Sequence, residues 1–171
     1  ADADYSYVSC NLVSASNGLG VFRPYKLVTY GTKKVAFVGV SDPLTDSKSS
    51  SDFQESGSSS YSFCSGNNGQ DLYEKVQAAV DQAQKSGADY IIAIGHLPYS
   101  DTGLTSSPYS PASIIKNTSG INAFIQGGTH RVTVGEQVTD KDGNTVLSSS
   151  AGSRLSHIGQ LVISGNQTIT A

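Results

Sequence analysis

The stretch GQDLYEKVQAAVDQAQKSGADYIIAIGHL, residues 69–97, holds a helix and a strand back to back. Leu72, Val76, Ala79, Val80 and Ala83 recur at spacings of three, four and seven, which places them on one helical stripe. Asn68 is the expected N-cap. Asp71 and Glu74 near the start and Lys85 near the end suit the helix dipole, and Gly87 is the expected stop. An unbroken apolar run follows, residues 90–94. Such a run, with no polar alternation, predicts a strand buried on both faces. It ends at His96.

The same grammar extends to both sides. Upstream, KLVTYGTKKVAFVGV (residues 26–40) predicts a hairpin turning at Gly31, with a second arm that is nearly all apolar and stops at Ser-Asp-Pro. YVSCNLV (residues 7–13) reads as a further strand. Downstream, SPASIIKNTSG (residues 110–120) predicts a short helix with Ser110 as N-cap, Pro111 at its first position and Gly120 at its end. INAFIQ (residues 121–126) is a third apolar strand. The order strand, helix, strand, helix, strand predicts an α/β fold with a locally parallel βαβαβ centre. After it the pattern changes. RVTVGEQVTDKDGNTVLSSS (residues 131–150) alternates and turns at Asp142-Gly143, a strong hairpin signal. HIGQLVISGNQTI (residues 157–169) adds a strand and a turn at Gly165-Asn166, so the C-terminal part is expected to be antiparallel hairpins in a mixed sheet. The serine-rich residues 45–66 read as a loop or insertion within a single domain, 1–171.

The chain has 171 residues, 37% hydrophobic and only 15% charged, with 18 glycines and a formal net charge of -3. Its length suffices for one core. A polar, uncharged, serine-rich surface is common on extracellular proteins. Without a basic cluster, nucleic-acid binding is not expected. No apolar run reaches the roughly 20 residues a bilayer crossing requires, so no membrane insertion is expected. The first ten residues lack the charged and apolar regions of a secretory leader, which leaves a processed or excised fragment as the expectation. Cys10 and Cys64 allow one disulfide or two separate thiols, and the sequence leaves both open.

His96 and His130 each follow the C-terminal end of an apolar strand, the edge where ligands bind in open α/β sheets. Each is either a metal ligand or a loop histidine bonded to backbone. A metal site needs three or four ligands, and Asp42 and Asp101 have no spacing that commits them. His157, in a polar context, reads as a surface residue. There is no P-loop, nucleophile elbow or dinucleotide fingerprint.

The segments at residues 7–13, 24–43, 61–97, 117–130 and 140–163 together resemble, in order, the second half of a 5′-nucleotidase-type catalytic domain. That is a branch of the calcineurin-like metallophosphoesterases, and the closest likeness is to secreted or surface-attached bacterial members. The resemblance implies half of an αββα sandwich. It implies divalent metals (Zn, Mn, Mg or Ca) in the family, a pair of which activates water on a phosphate ester. It aligns His96 with a single histidine after a strand, and His130 with the last histidine of a Gly-His-x-His motif. Here that motif reads Gly127-Gly128-Thr129-His130, so Gly128 stands where the family has an imidazole. The pattern Ile-Asp-Gly before it reads Ile125-Gln126-Gly127. The family's Asp-x-His, Gly-Asp and Gly-Asn-His motifs do not occur.

The resemblance thus implies vestigial metal ligands at His96 and His130, no catalytic residue, and no cofactor for this chain. The expected role is a non-catalytic binding module of a secreted or surface bacterial protein, located outside or on the cell. A host or surface protein is the expected partner, with Tyr99, Tyr109 and Arg131 as candidate contact residues. The alternative is a fragment of a metal-dependent 5′-nucleotidase or phosphoesterase.

Overall fold

The computed structural model describes residues 4–43, 54–55, 58–97, 107–128, 130–164 and 168–171. Its strands are β1 (Val13–Ser14), β2 (Tyr25–Tyr30), β3 (Lys33–Val40), β4 (Gln54–Glu55), β5 (Ser58–Ser59), β6 (Tyr61–Ser62), β7 (Tyr90–His96), β8 (Ala123–Gly127), β9 (Val132–Thr139), β10 (Thr145–Ala151), β11 (Val162–Ile163) and β12 (Ile169–Thr170). Two α-helices join them, α1 (Gln70–Lys85) and α2 (Pro111–Asn117). Six strands form the main sheet in the order β2-β3-β7-β8-β10-β9. The four central strands run parallel, and each outer strand is antiparallel to its neighbour. The β3-α1-β7-α2-β8 path is the expected βαβαβ centre. The hairpin β9-β10 and the antiparallel pair β11-β12 are the expected C-terminal elements.

Alternate residues of each strand point to opposite faces. One face carries Ala36, Val38, Ile91, Ala93, Phe124 and Val146, and both helices lie on it. The stripe on α1 that faces it is the predicted one, with Tyr73 added. Val35, Tyr90, Ile92 and Ala123 form a smaller cluster on the other face, with Phe37, Leu161 and Ile163 packed beside them. Ile125 remains 40% exposed. Hollows of about 430 and 500 Å³ lie on this side, lined by Phe37, Ile92 and Ile163 and by Val132, Val134 and Ile158. We call the two sides the helix face and the open face.

Local chemistry explains most boundaries. Ser110 caps α2 through its hydroxyl, which accepts from Ser113 N at 3.1 Å, and Pro111 takes the first turn. Gly87, at φ +83°, turns the chain out of α1. The turn at Asp142-Gly143 is closed by Asp140, whose carboxylate accepts from Asp142 N and Asn144 N.

Two expectations fail. Asn68 does not cap α1. Asn67 and Asn68 both sit in the left-handed region within a short 3₁₀ turn, and Gly69 becomes the N-cap. Asparagine and glycine tolerate that conformation, so the chain enters the helix through a tight turn instead. Residues 7–13 are not one strand either: Ser9 N donates to the Arg23 carbonyl and Cys10 N to the Gly39 carbonyl, and regular pairing begins only at Val13. Asn11 interrupts it by turning its amide inward. The turn expected at Gly165-Asn166 lies outside the described residues.

Candidate functional site

The parallel register brings three strand ends to one rim. Val40 stands opposite Gly95, Gly95 opposite Gln126, and His96 opposite Gly127. Glycines at 39, 95 and 127 leave bare backbone there, and a shallow groove of about 470 Å³ runs across them between Val40, His96 and Gln126. Buried Asn11 fixes the adjoining end of β3. Its Nδ2 donates to the Ser41 carbonyl at 3.0 Å and the Phe63 carbonyl at 2.9 Å, and its Oδ1 accepts from Ser41 N at 2.9 Å.

His96 is the last residue of β7 and is exposed. His130 lies past the end of β8, also exposed, at φ +56°. Between them is Gly128, at φ +94°. A Cβ built there would lie 2.4 Å from the Leu97 carbonyl oxygen. Position 128 therefore lacks an imidazole, and its backbone also leaves no room for any side chain. Among the described residues, no three of His, Cys, Asp and Glu gather to hold an ion.

Among the described residues, the remaining candidates lie apart from one another. Tyr109 is half-buried against the helix-face core and its hydroxyl donates to the Ser65 carbonyl. Arg131 is exposed beside His130. Tyr99 and Asp101 lie outside the described residues. Asp42 follows β3, half-buried. His157 is exposed, its Nδ1 2.9 Å from Ser156 Oγ.

One groove residue stood out in the sequence only as a departure from the family's Ile-Asp-Gly pattern. Gln126 is only 4% exposed. Its Nε2 donates to Ser148 Oγ at 3.3 Å, and its buried Oε1 has no hydrogen-bond partner. A buried, unsatisfied acceptor is costly. The signal available was a long amide at the end of an otherwise apolar strand. Nothing in the sequence shows that it points inward, toward Ser148 of β10.

No protein-family model and no curated protein matches the chain. Solved structures do. The calcineurin-like phosphoesterase YfkN of Bacillus subtilis superposes with a TM-score of 0.67 at 21% identity, over 88% of this chain and 47% of that one. The NAD nucleotidase of Haemophilus influenzae gives 0.67 at 14% identity, over 98% and 33%. The 5′-nucleotidase precursor of Thermus thermophilus gives 0.63 at 19% identity, over 98% and 32%. The chain therefore spans a third to just under half of these proteins. It has a metallophosphoesterase-type fold, over that part of it.

Proposed function

We propose that this chain is a non-catalytic metallophosphoesterase-like module of a secreted or surface bacterial protein, and that it binds a partner protein through its strand-end rim. The carrying observation is Gly128. Its left-handed backbone, with the Leu97 carbonyl against it, supports the loss of a metal ligand at the position where the resemblance expects one. His96 and His130 alone make an incomplete shell, since a hydrolytic pair of ions needs a full ligand set. The partner surface would be the rim itself, with Arg131 at its edge.

Calorimetric titration with Zn²⁺ and Mn²⁺, run beside hydrolysis of a generic phosphate ester, tests this. The expected result is no turnover and at most weak binding of one ion, lost in His96→Ala. Tight binding of two ions together with turnover would overturn it. Loss of capture of a surface or host protein in Arg131→Glu, with folding intact, would support the binding role.

The open face favours a second reading. A sheet with Ile125 and Val134 exposed on one side suits a piece of a longer hydrolase whose remaining part covers that side. Under this reading, activity would return when the chain is joined to a partner half carrying the missing carboxylates, despite Gly128.

A further inference from the structure

Cys10 and Cys64 flank the serine-rich stretch in sequence, yet the fold brings their segments together. Val13 pairs with Ser62 in a short antiparallel ladder. Asn11 Nδ2 donates to the Phe63 carbonyl at 2.9 Å. Each cysteine is thus the chain neighbour of one partner in that bond. Both are buried and both stand as thiols. Cys10 belongs to the helix-face core. Burial pushes its thiol up to about 12, with the nearness of Cys64 adding to the push. Cys64 also sits at φ +56°, an unfavourable region for a residue with a Cβ.

We propose that Cys10 and Cys64 close to an intramolecular disulfide when the chain folds in the presence of an oxidised thiol such as glutathione disulfide. Each cysteine gives up one proton and one electron. The two electrons reduce one glutathione disulfide to two glutathione thiols, so one S–S bond forms in the protein as one breaks in the reagent. The thiolate is the attacking species, and folding keeps Cys10 protonated and covered. The bond therefore closes while the chain folds, not afterwards. Once formed, it encloses residues 11–63, including most of the serine-rich stretch, and ties the N-terminal segment to the entrance of α1.

The test is to unfold the reduced wild-type chain, refold it in a glutathione redox buffer, and measure intact mass and digest peptides. The expected result is the loss of two hydrogens and a linked peptide pair containing Cys10 and Cys64. Reduction of that product lowers Tm by about 10 °C. Cys10→Ser and Cys64→Ser each give a melting curve insensitive to reductant. Two titratable thiols after refolding, glutathione adducts on either cysteine, or disulfides only between chains would each overturn the proposal. The wild-type mass decides the matter even if a serine variant folds poorly.

Discussion

The helix face and the open face of the sheet are built from the same strands, read at alternate residues. Phe124 and Ile125 are neighbours on β8, yet one has no exposure and the other is 40% exposed. The two α-helices are both committed to one side, and the β11-β12 pair covers only part of the other. The difference teaches that alternation in an α/β strand can be invisible in hydropathy. Both faces carry Val, Ile and Phe, and only the crossover path decides which is sealed.

Truncations at matched positions break or sharpen this contrast. Phe124→Ala should cost about 3–5 kcal/mol in urea denaturation, as expected for an aromatic removed from a closed core. Ile125→Ala, one residue on, should cost well under half as much. Equal costs would show that the open face is sealed in solution.

Two glycines of similar φ, Gly128 at the rim and Gly143 in the β9-β10 turn, offer a second pair. Gly128→Ala should destabilise by about 1–3 kcal/mol, since the left-handed strain is joined by collision with the Leu97 carbonyl. Gly143, at φ +89°, has open space around its missing side chain, so Gly143→Ala should cost only about 1 kcal/mol. Thermal melts of the two variants read the difference.

A smaller effect is expected in acid. Burial alone would raise the pKa of Asp140, but hydrogen bonds from the backbone and side chain of Asn144 and from Asp142 N outweigh it and lower the pKa. A carboxyl depressed on folding stabilises fully above its unfolded pKa of about 4, and that contribution is lost as pH falls through the lower folded value. Asp140→Ala should therefore flatten the acid limb of a stability–pH profile and leave the slope above pH about 5 unchanged. Smallest of all, Val134→Thr on the open side of β9 should shift stability by less than about 0.5 kcal/mol.

Much of this architecture was legible because its signals are local. The α1 stripe, the Ser110-Pro111 cap and the Asp142-Gly143 hairpin each depend on residues within a few positions of one another. The failures depend on distance. Asn11 breaks up the expected strand at residues 7–13 because it reaches Ser41 and Phe63, which no window around it contains. Asn68 lost its capping role to a turn that two adjacent asparagines and a glycine permit. At the rim, the sequence places Gly128 where the resemblance expects an imidazole. It could not disclose that the Leu97 carbonyl lies against that position, because the two residues are far apart in sequence.

That close approach has a historical consequence. If position 128 once carried a ligand, the route back is not a one-letter change. Histidine placed on the present backbone would meet the Leu97 carbonyl before it could meet an ion, so the loop must re-route first, with no gain until the imidazole also arrives. Under that history, position 128 would act as a ratchet: the rim could be refitted for other uses, but the ligand could not return by one substitution.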